Sequence, residues 1–261
     1  MMKKIFFIVV ALVLTPHWGL AQENETAHKK PYPALSYKQP NDSLYRFRWQ
    51  QCIAPAVVVG MTAIQSTSWM QDINKSVKNE VQGINFKNPS DDYLQYAPMA
   101  VGLALDAVGV YGHHHILDKT IILATAALLE VAIVNGMKYS IGTLRPDGST
   151  HNSFPSGHTA TVFMGAEFLR KEYGDQSVWY TIGGYSVATF TAYMRVQNNR
   201  HWLADVVAGA GVGIFSTQVA YWVYPYLRKA IFPKHTSSAY AATLMPYYTG
   251  QQSGLGLVIV F

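Results

Sequence analysis

A chain of 261 residues, 49% hydrophobic and only 13% charged, has the length of one domain, two at most, and too little charge for a disordered protein. One cysteine, Cys52, excludes a disulfide framework, a Cys-rich zinc site and an iron–sulfur cluster. The net charge of +5 asks for an anionic partner without choosing among nucleic acid, lipid headgroup and phosphate, and a mean hydropathy of +0.06 is low for a chain built mainly of clean membrane spans.

Residues 1–21 read as an export signal. Lys3 and Lys4 precede an unbroken apolar run, Ile5 to Leu14, which Pro16 and Gly19 break, and Gly19-Leu20-Ala21 sets small residues before a cleavage point at Ala21–Gln22. The run is short of the roughly 20 residues a span needs, which favours a cleaved signal over an anchor. Residues 22–50 are polar, carry Pro31, Pro33 and Pro40, and form an N-terminal arm in which Asn41-Asp42-Ser43 looks like a helix start. Apolar segments at 53–65, 96–112, 121–137, 159–169, 178–194 and 202–227 follow, with polar loops between them, the longest at 66–92. This pattern predicts an all-α bundle of about six core helices over 51–230. The tail, 231–261, differs. Stretches rich in Tyr, Val, Ile and Leu flank Gly250-Gln251-Gln252-Ser253-Gly254, which reads as a β-hairpin. Alternating Leu255, Leu257 and Ile259 before a terminal Phe261 resemble a barrel-closing strand, but one hairpin cannot close a barrel. Most of the helical segments are short, and Asp106, Glu130 and Glu167 lie inside them. Both features favour helices buried in one another, or only partly in lipid.

The chemistry lies between 138 and 205. Lys138 ends the third apolar segment, Arg145-Pro146 follows, and Phe154-Pro155-Ser156-Gly157-His158 directly precedes the fourth. Arg195 ends the fifth, and His201 and Asp205 open the sixth. If neighbouring helices run antiparallel, these ends meet at one pole and form a positive, donor-rich cup suited to phosphate. Lysine and arginine would hold the oxygens, the backbone N–H groups of a helix start would face the anion, and Gly157 would let the backbone come close. His201 and Asp205, four apart, share a helix face. A carboxylate there can hold the imidazole tautomer and free one ring nitrogen for attack, while His158 protonates the leaving oxygen. Singly, each residue has an ordinary structural role: a dipole partner for Lys138 or Arg145, a helix cap for Ser156, a surface pair for His201 and Asp205. His113-His114-His115 reads as a polar loop rather than a metal site, having no acidic partner at matching spacing.

The order Lys138-x6-Arg145-Pro146, Pro155-Ser156-Gly157-His158, Arg195-x5-His201-x3-Asp205 resembles the three-part signature of the type 2 phosphatidic acid phosphatase (PAP2) superfamily, which includes bacterial acid phosphatases, lipid phosphatases and vanadium haloperoxidases. The resemblance implies a PAP2-type bundle and a phosphatase that works through a phosphohistidine, with no metal or other cofactor and no nucleic-acid partner. Lys138, Arg145, Ser156, Gly157 and Arg195 would bind phosphate, His158 would be the acid, His201 the nucleophile and Asp205 its orienting partner. One position departs: Met194 stands where the family usually has serine, which removes a hydroxyl from the phosphate shell.

Export, apolar helices and a basic pole point to a phosphorylated envelope lipid as substrate: lipid A first, with undecaprenyl pyrophosphate and phosphatidate-like headgroups beside it. A soluble periplasmic acid phosphatase acting on small phosphoesters, a vanadium haloperoxidase and a non-catalytic envelope protein are the alternatives. Topology adds a constraint. If the segments at 53–65, 96–112 and 121–137 all crossed a membrane after an export signal, Lys138 would end up inside. The expectation is therefore a periplasmic bundle in contact with the membrane, with its cup facing the periplasm.

Overall fold

The computed structural model describes residues 44–82 and 89–232 and the strands at 241–248 and 253–260. The expected signal, the arm up to residue 43 and the tip of the C-terminal turn lie outside the described residues. After a 3-10 turn at Trp49–Cys52, the helices are α1 (Ile53–Ile64), α2 (Ser68–Gln82), the single turn α3 (Asp91–Leu94), α4 (Ala97–Ala104), α5 (Ile116–Ile141), α6 (Gly157–Tyr173), α7 (Val178–Gln197) and α8 (Leu203–Ile231). The fold divides at Tyr224–Pro225, where a proline inside α8 removes one backbone hydrogen bond. Beyond it, β1 (Ala241–Tyr248) and β2 (Ser253–Val260) pair antiparallel, from Ala241 opposite Val260 to Tyr248 opposite Ser253.

The helical body is organised around α6. One of its faces sets Val162, Phe163 and Ala166 against Tyr185, Ala188 and Ala192 of α7 and Val206, Val207 and Ala210 of α8. Another sets Met164 and Phe168 against Ile122, Leu123 and Ala126 of α5. Glycines bring α8 backbone-close to α6: a Cβ on Gly209 would stand 2.5 Å from the Ser156 carbonyl oxygen, and one on Gly213 would strike the Ala160 carbonyl. Without that approach, the start of α6 could not sit beside the start of α8. Helices α5 and α7 run toward one pole and α6 and α8 away from it, so the ends bearing Lys138, Ser156, Arg195 and His201 converge.

Two expectations need correction. The long polar loop contains a helix, α2. Met70 and Val77 are buried, with Ile73 and Val81 packed beside Val77, and this i, i+3, i+4 stripe on an otherwise polar segment is an amphipathic helix. Average polarity concealed it. The second concerns length. α5 has 26 residues and α8 has 29, both long and apolar enough to cross a membrane, and α1 with α2, bent by 100°, could form a third crossing. The apolar cores of these helices extend into polar end residues that the fold buries, Asp118 and Lys119 among them. α5 is apolar on both sides: Ile122, Ala126 and Val134 face the bundle, while Leu117, Leu128 and Val131 face outward. An all-round apolar helix is the pattern of a span or a deep core element, and here one side has no protein against it among the described residues.

The carboxylates inside apolar segments all have partners. Asp106 pairs with Lys119 at 2.6 Å, Glu130 accepts from Thr161 at 2.9 Å, and Glu167 binds Arg170 and Tyr185, each at 2.7 Å. The histidine triplet is not a simple polar loop. His113 meets Asp175 and His115 precedes α5 as its N-cap, but His114 is buried. Its Nδ1 lies 2.6 Å from Glu172 Oε1 and its Nε2 lies 2.6 Å from the Tyr45 hydroxyl.

Candidate active site

Four helix ends and one loop build the cup. Gly142 adopts a left-handed conformation (φ 64°) and ends α5 one turn after Lys138, its N–H donating to the Lys138 carbonyl. The loop that follows carries Arg145, whose Nε donates to Asn152 Oδ1 at 2.9 Å. Two contacts pin this loop. Trp202 Nε1 donates to the Leu144 carbonyl, and Lys78 of α2 donates to the Pro146 carbonyl, each at 2.8 Å. Asn74 of α2 accepts from the Ala204 N–H at the start of α8. The helix hidden in the polar stretch thus braces two parts of the site.

Ser156 caps α6 with its backbone N–H donating to the Asp205 carbonyl at 2.9 Å, which ties the second motif to the third. That N–H is therefore spent inside the protein, a correction to the expected cradle. The N–H groups that follow it remain at the helix start, where the dipole favours an anion. A Cβ on Gly157 would have only ordinary contacts, 3.8 Å from Val134 and 4.0 Å from the Lys138 ammonium. Its lack of a side chain keeps open the space between the α6 start and Lys138.

His201 is buried and oriented by a group that sequence reasoning missed. Its Nδ1 lies 2.9 Å from the Ser153 carbonyl, and a carbonyl can only accept. Nδ1 therefore carries the proton, and Nε2 keeps its lone pair. Asp205 stands 3.6 Å from Nδ1, beyond hydrogen-bond length, and acts on the ring through its charge. Its Oδ2 accepts from the Ser153 hydroxyl and, at 2.8 Å, from the Trp202 N–H. The expected orienting role is thus divided: Asp205 fixes Ser153, and Ser153 fixes His201. Ser153 lies outside the three motifs, and its role depends on a backbone carbonyl, which side-chain spacing does not report. Burial above all, with the positive charges of Arg195 and Arg145 and against the opposing pull of Asp205, lowers the His201 pKa to about 4. At neutral pH the ring is an uncharged base.

Arg195, at the end of α7, is buried. Its Nη1 lies 2.6 Å from Asp91 Oδ2 and 3.6 Å from Asp92 Oδ1. Its Nε is buried with no hydrogen-bond partner among the described residues. A lone buried donor costs on the order of 1–3 kcal/mol unless something accepts from it, and an anion in the cup would do so. His158 Nε2 lies 2.8 Å from Asp92 Oδ1. Burial lowers the His158 pKa and Arg195 adds to this, against the pull of Asp92 and Asp91. Burial likewise lowers Arg145, with Arg195 beside it, so the cations crowd one another. Met194 is buried in α7 and offers the site no hydroxyl. The structure brings together all eight residues singled out in the sequence, and adds Ser153, Asp91 and Asp92.

One pole of the helical bundle thus gathers three cations, a buried histidine and a second histidine over a helix start. Residues 119–229 match the model of the PAP2 superfamily. The chain is 42% identical over 140 residues to a lipid A 1-phosphatase of Porphyromonas gingivalis, a match covering 53% of this chain and 32% of that protein. It is 30% identical over 100 residues to a lipid A 4'-phosphatase of the same organism, covering 37% and 42%. The chain thus spans about a third of the first relative and well under half of the second. Two solved structures are similar: Aquifex aeolicus LpxE (20% identity, TM-score 0.44, 60% of this chain and 97% of that one) and a transmembrane PAP2-type phosphatidylglycerolphosphate phosphatase of Bacillus subtilis (16%, TM-score 0.46, 72% and 100%).

Proposed function

We propose that this protein is a phosphatase that hydrolyses the phosphate of an envelope lipid, lipid A first among them, through a phosphohistidine. The observation that carries the reading is His201. Its ring is held with the proton on Nδ1, it is kept neutral by burial, and it stands among Lys138, Arg145 and Arg195 at the end of a helix with an apolar outer face. The three cations take the non-bridging oxygens, supplying charge where it grows in the transition state. His201 Nε2 attacks phosphorus as the bond to the leaving oxygen breaks, and a proton from His158 goes to that oxygen. Water then attacks phosphorus, the P–N bond breaks, and His158 takes the water's proton. The outer face of α5 rises to the cup at Lys138, so a lipid lying along it would present its headgroup there. The names of the two curated relatives support lipid A within that class.

The test is phosphate release from lipid A in detergent micelles, compared with a water-soluble phosphomonoester without detergent. The lipid is expected to be the better substrate by kcat/KM. Preference for the soluble ester would select the acid-phosphatase alternative.

The cup is proposed to face the periplasm. α4 with the 3-10 turn that continues it runs over Ala97–Val108, roughly 18 Å of helix, too short to cross a hydrocarbon core of about 30 Å. That supports a bundle partly embedded in lipid. Tyr45 packs on His114, at the pole away from the cup, so full crossing would place residues 44 and 150 on opposite sides. Alkaline phosphatase fused after either position is expected to be active. Activity at 44 alone, with a cytoplasmic reporter active at 150, would overturn the orientation.

A further inference from the structure

Asp91 and Asp92 occupy the single turn α3, and no motif includes them. Each engages a different cationic or titrating group of the site: Asp91 takes Arg195 at 2.6 Å, and Asp92 takes His158 at 2.8 Å through Nε2. Asp91 is buried and also accepts from Asn198 Nδ2, so it reads as the anchor of Arg195. Asp92 is different. Its side chain is 58% exposed, and an exposed carboxylate contributes little to stability through one ion pair. Its place is chemically selective. A general acid needs one ring nitrogen aimed at the leaving oxygen and the other held. With Nε2 held by Asp92, Nδ1 is the nitrogen left without a hydrogen-bond partner among the described residues.

We propose that Asp92 is a positioning residue for the reaction, holding His158 through Nε2 so that Nδ1 delivers the proton to the leaving oxygen. The inference rests on the reading of His158 as the general acid. In the first half-reaction, the P–O bond to the leaving group breaks, a P–N bond forms at His201, and the Nδ1 proton goes to the leaving oxygen while the other proton stays on Nε2, donated to the Asp92 carboxylate. In the second half, water's proton returns to Nδ1 as its oxygen displaces His201 from phosphorus. The carboxylate stabilises the doubly protonated ring in both half-reactions, as a buried aspartate does for a catalytic histidine elsewhere.

The charged groups about His158 are Asp91 and Asp92 from α3 and Arg195 from α7, with Lys138 of α5 beside its neighbour Gly157. The carboxylates favour the charged ring; burial and Arg195 oppose it. The wild-type kcat/KM profile is therefore expected to be a bell. Its acid limb lies near pH 4, where His201 takes a proton and loses its lone pair. Its basic limb lies below the ordinary histidine value, because burial and Arg195 lower His158 and activity is lost as pH rises through that value. Removing a carboxylate lowers His158 further.

Asp92→Asn in the full chain is expected to move the basic limb to lower pH by about half a unit or more, leave the acid limb in place, and lower kcat more than it changes KM. Asp92→Glu keeps the charge and is expected to restore the wild-type limb. The His158 imidazole is also followed by NMR titration of histidine-labelled protein in detergent, assigned by its loss in His158→Asn. It is expected to titrate lower in Asp92→Asn than in wild type. An unmoved basic limb, or a His158 titration identical in the two proteins, overturns the proposal. The titration needs no turnover, so a wild type inert toward every phosphoester would sink the phosphatase reading while the Asp92–His158 link is still decided.

Discussion

Replacing His201 with asparagine is expected to lower phosphate release by a factor on the order of 10^4 or more. The substitution is chosen so that loss of folding does not imitate loss of chemistry. An asparagine amide can still donate toward the Ser153 carbonyl that His201 Nδ1 now meets at 2.9 Å, so the loop between the first and second motifs keeps a partner. What disappears is the Nε2 lone pair. Lys138, Arg145 and Arg195 still bind the phosphate oxygens, so affinity for inorganic phosphate is expected to stay within a few-fold of wild type. Rapid acid-free quenching of wild-type turnover is expected to trap phosphate on the protein, and the variant should trap none. Substantial turnover by His201→Asn would remove the covalent mechanism. It would leave a cup that binds phosphate and activates water directly.

The sequence carried the parts of this site that lie in side chains at helix ends, and it was silent where the site depends on backbone or on distant segments. Lys138, Arg145, Arg195 and the two histidines are legible because, ordinary as each is alone, they occur together and in order at successive helix ends. Ser153 is not legible, since its contribution to His201 is a carbonyl oxygen that every residue possesses. Asp91 and Asp92 fall at the end of the polar stretch 66–92; only the packing of α3 on α6 and α7 shows them against His158 and Arg195. α2 was lost because a helix with one narrow apolar stripe has the average polarity of a loop. The length of α5 was underestimated for the opposite reason: its first turn contains Asp118 and Lys119, both buried, and Lys119 is held by Asp106 and Tyr173, more than ten residues away in sequence. In each case the missing information is tertiary, a contact made by a residue whose type alone permits several roles.

Glu172→Ala should give the reverse of the His201 result, a large loss of stability with specific activity retained. Glu172 ends α6 at the pole away from the cup and is buried. It accepts from the His114 N–H at 3.0 Å, from His114 Nδ1 at 2.6 Å and from the Tyr221 hydroxyl at 2.5 Å, while His114 Nε2 meets Tyr45. Beside it, Lys119 reaches Asp106 at 2.6 Å and the Tyr173 hydroxyl at 2.7 Å, and that hydroxyl donates to the Gly102 carbonyl. These bonds join the chain entry at Tyr45, the segment before α5, and helices α4, α6 and α8. Alanine leaves two buried donors of His114 and one of Tyr221 facing nothing, and removing one partner of a buried, hydrogen-bonded charge costs about 3–5 kcal/mol. Glu172→Gln keeps an acceptor oxygen and is expected to lose less, because only part of the set is broken. Thermal unfolding of both variants in detergent, scanned at one fixed rate because unfolding of such a protein need not reverse, measures the difference. The 17 residues of α6 make a rod of roughly 25 Å between this network and Ser156. Protein that remains folded should therefore hydrolyse at the wild-type rate. A fall in kcat matching the fall in stability would mean that the two poles are coupled through α6, and that the start of this helix is positioned from its far end as well as by the Asp205 carbonyl that holds Ser156.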